Sequence, residues 1–156
     1  MEKQLRISWA ILLAVSLLSI AISLVYLVWP TIFLSGEFLS ATGRNLSAFA
    51  ISNPKEYSFF MSDELQQALF MSSLAIVQLV VVLSLYRNAN RMGWYIGVVL
   101  VTLSLGTIIG CDIPTGNLPI ILMAVGVLLV SYVGFAIGIK PILSRQSQVL
   151  AALRGS

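Results

Sequence analysis

The chain contains four long stretches free of charged side chains, and this constrains its fold more than any other feature. Ile7 to Trp29 carries no charged residue, and Leu65 to Tyr86 has only glutamines and serines as polar interruptions. Gly93 to Cys111 and Leu118 to Ile139 are likewise uncharged. At 1.5 Å rise per residue, ~20 apolar residues cross the hydrocarbon of a bilayer. Backbone amides at that depth find no water, so each stretch must pair its own amides and become helical. The abundant Val and Ile favour strands in water, but span length and the lack of alternation outweigh that preference. Composition agrees: 10% of residues are charged, against roughly 25% in a soluble domain. The expected fold is an all-α integral membrane protein, a single domain over residues 1–156. Four transmembrane helices (about 7–29, 65–86, 93–111 and 118–139) form an antiparallel bundle. A long, partly helical outer segment, 30–63, joins the first two, and a tail follows from 140.

Charge sets the expected orientation. Lys3, Arg6, Arg87, Arg91, Lys140, Arg145 and Arg154 all fall on one side of the bundle. The opposite side holds Arg44 and Lys55 among Glu37, Glu56, Asp63, Glu64 and Asp112. Basic residues near span ends stay cytoplasmic, which places both termini inside. The same basic residues are scattered singly beside span ends, a poor footprint for nucleic acid, and no nucleic-acid partner is expected. The first span is longer than the 7–15 residue apolar core of a signal peptide and lacks a clear cleavage site, so it reads as a retained anchor. The lone Cys111 permits no intrachain disulfide.

Between the first two spans the sequence is unusual. A structureless loop from Pro30 to Ser62 would be out of scale with so small a domain. It is also rich in apolar side chains, including Phe33, Phe38, Phe49, Tyr57, Phe59 and Phe60. Pro30 suits the start of a short helix reaching about Leu39, and Asn53-Pro54 marks a turn. Ser62 is the expected N-cap of the second span, with Asp63 and Glu64 against the positive end of its dipole. Ile113-Pro114-Thr115-Gly116 reads as an outer turn, with Asn117 capping the fourth span. The aromatic segment fits either a cap over the bundle or an outer surface for a partner. Asn45-Leu46-Ser47 has the form of a glycosylation sequon.

Absent residues exclude much chemistry. The chain has no histidine, which removes bis-histidine haem, the usual zinc and copper sites, and Ser-His or Cys-His nucleophiles. No CxxC is present, so disulfide exchange is excluded as well. The spans hold no Asp, Glu, Lys or Arg, whereas proton relays, ion-coupled transport and voltage sensing use ionisable groups at membrane depth. Glu64 and Asp112 lie at one membrane level but read as capping and solvated residues. Cys111 beside Asp112 is a poor nucleophile, because a carboxylate disfavours its thiolate. No catalytic residue, metal site or cofactor is expected.

Polar and small residues inside the spans remain. Gln78 needs a hydrogen-bond partner on another helix, and Ser16, Ser19 and Ser23 form a stripe on the first span. They serve as interhelical contacts or as contacts to a ligand. Gly93/Gly97, Gly106/Gly110 and Gly134/Gly138 are GxxxG pairs, with Gly126 a further small residue on the fourth span; such pairs let helix backbones approach closely. Gly93/Gly97 and Gly134/Gly138 are expected to face each other, leaving Gly106/Gly110 for an intermolecular contact. The chain lacks the charged and Asn-bearing helix motifs of the membrane-associated eicosanoid and glutathione enzymes. It also lacks the first-loop Trp and Cys signature of claudin-like proteins and the first-helix glutamate of small multidrug transporters. The leading expectation is a non-catalytic subunit or accessory of a membrane protein complex, packing on other subunits or on itself. The alternative is a carrier that binds a lipid or other small apolar molecule in a cavity of the bundle.

Overall fold

The computed structural model describes the backbone of residues 2–154 and the side chains of residues 3–114 and 116–144. Arg145 and Arg154 of the basic set, and the end of the tail, lie outside the described side chains. Among the described residues all regular structure is helical: α1 Glu2–Val28, α2 Pro30–Thr42, α3 Leu46–Ser52, α4 Pro54–Val81, α5 Arg91–Thr115 and α6 Leu118–Arg154. A single π turn, Val82–Tyr86, closes α4. Four segments are long and apolar enough to cross a membrane: Lys3–Val28, Pro54–Tyr86, Arg91–Pro114 and Leu118–Ser144. Their outer surfaces are apolar too, with Leu24, Phe70, Leu122 and Leu129 more than half exposed. A surface of that kind suits lipid and not water. The protein is an integral, multi-pass membrane protein.

Several boundaries differ from the expected ones. The second spanning helix begins at Pro54, and Ser62 is an exposed residue within it. Proline is well placed at a first helical position, where its missing N–H would have had no partner, and the Asn53 carbonyl accepts the first bond from Tyr57 N at 2.9 Å. From Pro54 to Tyr86 the helix is about 50 Å long, some 20 Å more than the hydrocarbon needs. Its first turns, carrying Lys55, Glu56, Asp63 and Glu64, therefore project beyond the apolar layer. At the end of α5 the expected outer turn is merged into the helix. Pro114 lies in its last turn, and Gly116, at φ 70°, closes it with an N–H bond to Ile113 O at 3.2 Å. The last helix does not stop at Ile139 but continues through Pro141 to Arg154.

In the bundle α1 packs between α4 and α6, while α5 packs on α6 and, through its first turns, on the π turn of α4. Leu12, Val82, Tyr86, Val101, Leu105, Phe135 and Ile142 form the main core. A second, separate core belongs to the outer segment. There Leu34 and Phe38 of α2 and Leu46 of α3 are buried against Tyr26, Phe49, Tyr57, Phe60 and Met61. The Asn45 side chain caps α3 by accepting from Ser47 N at 2.9 Å, and Gly43, at φ 69°, ends α2. These stop signals fold the segment back so that α3 rests on the projecting part of α4, while α2 lies against α1, α3 and α5 and reaches α4 through Phe38 and Phe60.

Candidate functional site

The tightest part of the molecule is at the end that carries both termini. Ser8 on α1, Tyr86 on the π turn and Ser131, Gly134 and Gly138 on α6 are buried there. Ser8 Oγ donates to the Gly134 carbonyl at 2.5 Å, so the Tyr86 hydroxyl, which also contacts Ser8 Oγ, is its donor. Gly138 is what allows this approach. A Cβ there would collide with Tyr86 Oη and lie 2.6 Å from Ser8 Oγ. Phe135 fills the notch at Gly97, where a Cβ would be 2.9 Å from its ring. The Phe135 ring meets Tyr86 edge-on at 5.9 Å, and its carbonyl accepts from Trp94 Nε1 at 3.0 Å. Three spanning helices and the π turn are thus joined through one hydroxyl pair and one aromatic ring.

Deeper in the bundle Gln78 is 3% exposed, and its Nε2 donates to Ser16 Oγ at 3.0 Å. Ser16 in turn donates to Leu12 O at 2.8 Å. Ser19 and Ser23 are only half-buried. An interhelical hydrogen bond in a membrane is worth about 0.6 kcal/mol on average and about 1.7 at most. A donor left without its acceptor costs more than a pair removed together. Ser16→Ala should therefore destabilise the bundle by about 1–2 kcal/mol, while Gln78→Leu stays within about 0.5 kcal/mol of the parent. Unfolding titrations in mixed micelles test this, and equal losses in the two variants would show that pairing is not the cause.

The seven glycines of the third and fourth spans divide into two groups. Gly93, Gly97, Gly134 and Gly138 each have a neighbour closer than ordinary contact to the place a Cβ would occupy. They do not meet in the expected glycine-to-glycine pairing. The nearest atoms at Gly93 are Leu85 and Tyr86, at Gly97 Phe135, and at Gly134 Ile11 and Leu12 of α1. A small residue makes room for whatever is opposite: side chains at Gly97, Gly134 and Gly138, and the backbone of Leu85 and Tyr86 together with the Leu85 side chain at Gly93. Gly106 and Gly110 on α5 and Gly126 on α6 have nothing within 4 Å. All three are exposed, and elsewhere on the same two helices the exposed hydroxyls of Thr102 and Tyr132 are 2.8 Å apart.

At the capped end the aromatic residues mostly serve the cap itself. Phe38 is buried between Phe49, at 4.9 Å, and Phe60, at 5.6 Å, and Phe33 stacks on Tyr26 at 5.3 Å. Tyr57 is partly buried against the same core. Of the six residues considered for an outer partner surface, only Phe59 is fully turned out, 78% exposed. Beneath the cap Tyr26 donates to Glu37 Oε2 at 3.1 Å, joining α1 to α2. Glu64 and Asp112 are close enough for their charges to be felt at Tyr26. Burial raises the Glu37 carboxyl above its ordinary value, the Tyr26 bond opposes this, and Asp112 adds to it. Among the described residues no group of three or more His, Cys, Asp or Glu has an arrangement that could hold a metal ion. An open groove of about 400 Å³ lies along α2 and α3, lined by Ser35, Gly36, Leu39, Asn45, Leu46 and Ser47.

Ser8, Tyr86, Phe135 and Trp94 were not among the residues singled out by sequence. Ser8 had one usable signal, a hydroxyl inside an otherwise apolar run. Tyr86 and Trp94 had none, because aromatic residues at span ends usually sit in the headgroup belt. No family model, curated protein or solved structure matches the chain.

Proposed function

We propose that the protein is a non-catalytic subunit or accessory of a membrane protein complex, docking through the lipid-exposed face of α5 and α6. The observation that carries this reading is the division of the glycines. Gly93, Gly97, Gly134 and Gly138 are consumed by packing within the chain, whereas Gly106, Gly110 and Gly126 are open. Glycine within a helix is unfavourable by about 1 kcal/mol relative to Ala, and nothing within this chain returns that loss at the three open positions. A second helix approaching there would gain close backbone contact, the main attraction available where solvent drives no apolar association. The positive charges near the span ends support termini on the cytoplasmic side. The carrier reading has less support, since Gln78 and Ser16 are spent on each other and the open groove lies in the cap.

Purification in mild detergent tests the proposal. The parent chain should retain a stoichiometric partner, either another membrane protein or a second copy. Gly106→Leu combined with Gly110→Ile should release that partner, with the unfolding midpoint of the isolated chain unchanged or raised. A parent chain that is monomeric and partner-free from its native membrane would sink the proposal.

A further inference from the structure

The turn between α4 and α5 is ordered by its two asparagines. Asn88 Nδ2 donates to Ser84 O at 2.6 Å, Ala89 takes a left-handed φ of 55°, and the Asn90 side chain caps α5 at Met92 N. These bonds leave two exposed guanidinium groups in fixed positions. Arg87 lies over the Trp9 ring, 5.7 Å from its centroid. Arg91 lies over Tyr95 at 5.4 Å and donates to the Tyr95 hydroxyl through Nη2 at 2.8 Å. Among the described residues, both side chains are held by aromatic rings and not by carboxylates. Nearby, Arg6 precedes Ser8 by two residues and Lys140 follows Gly138 by two, so both lie about 3 Å beyond the Ser8–Tyr86–Gly138 contact. Glu2 is the single acidic residue at this end of the sequence.

Taken alone, this corner is electrostatically unfavourable. Two like charges flank a tight turn, and Arg91 opens α5 at the positive end of its dipole, where a cation is the wrong sign. A bound anion removes both penalties. Trp9 contributes its ring, which holds the Arg87 guanidinium at the surface, while its Nε1 is enclosed in the bundle. Exposed guanidinium groups at a span end meet lipid phosphate oxygens, which accept charge-assisted hydrogen bonds from them. We propose that the Arg87–Arg91 corner, with Trp9 beside it, binds the phosphate of an anionic phospholipid in the leaflet at the terminal face.

The test uses the full chain in a neutral detergent, titrated with phosphatidylglycerol or phosphatidylcholine, with bound lipid counted by native mass spectrometry. Phosphatidylglycerol should bind more tightly than phosphatidylcholine. A basic residue near an anionic surface is worth about fivefold in affinity, so Arg87→Gln and Arg91→Gln each lose about fivefold and together ~25-fold. Arg44→Gln with Lys55→Gln, at the other end of the bundle, should leave binding unchanged. Equal binding of the two lipids would overturn the proposal, as would an equal loss from the Arg44 and Lys55 changes. So would full phosphatidylglycerol binding by the single variants, which guard against failure of the double variant to fold. Inorganic phosphate should show no binding at matched concentration; binding as tight as that of the lipid would make the ligand a free anion and dismiss the lipid.

Discussion

Gly138→Ala should lower the stability of the bundle by about 2–4 kcal/mol, although it adds a better helix former. The new methyl group would occupy the space of Tyr86 Oη and lie 2.6 Å from Ser8 Oγ. Tyr86 and Ser8 are both fully buried, so neither has free volume to retreat into. Overpacking of this kind costs about 1–3 kcal/mol, and separation of the hydroxyl pair adds about 1 more for each bond lost. Roughly 1 kcal/mol of helix propensity offsets part of the sum. Tyr86→Phe removes the colliding oxygen, so the double variant should recover at least about 1 kcal/mol of the loss. Gly126→Ala is the matched control, because nothing is within 4 Å of that position, and it should be neutral or slightly stabilising. Unfolding titrations in mixed micelles measure all four proteins. Parental stability in Gly138→Ala would mean that the three-helix contact is not held as described.

The second large effect is expected in the cap. Phe38→Ala removes a ring buried between Phe49 and Phe60, a truncation that typically costs 3–5 kcal/mol. The cluster of Leu34, Phe38 and Leu46 is small, so little else remains to hold α2 and α3 down. Amide hydrogen exchange should then rise by at least about two orders of magnitude across 30–53, at roughly tenfold per 1.4 kcal/mol. The amides of α1 and α5 near Leu12 and Val101 should exchange as before, because their core is separate. A uniform rise through the whole chain would show that cap and bundle open as one unit; no rise in 30–53 would show that Phe38 does not hold the cap.

The four spans were legible because the bilayer imposes a simple rule of length and charge, and Ile7–Trp29 or Leu118–Ile139 satisfies it on inspection. The helical start at Pro30 was legible for a local reason, the fit of proline to a first helical position. The same rule applied at Pro54, but Asn53-Pro54 also reads as a turn, and Ser62-Asp63-Glu64 imitates a helix start. Local patterns could not choose between them. The choice depends on Leu34 and Phe38 of α2, about twenty residues away, packing with Leu46 against Tyr57, Phe60 and Met61. The glycine pairs were visible as sites of close approach, but spacing says nothing about what approaches. Phe135 at Gly97 and Tyr86 at Gly138 are tertiary facts. The π turn left no mark in the sequence that separates it from the α-helix before it.

The separation of the two cores has a thermal consequence. The bundle core is surrounded by lipid, and its cohesion rests on dispersion and hydrogen bonds. The cap core sits on the part of α4 that extends beyond the hydrocarbon, where water is the competing solvent. Its cohesion is hydrophobic in the strict sense, carries a large heat-capacity change and weakens on cooling. One short chain thus contains two structures with different temperature laws. Cold loosens the lid while leaving the barrel of helices beneath it intact.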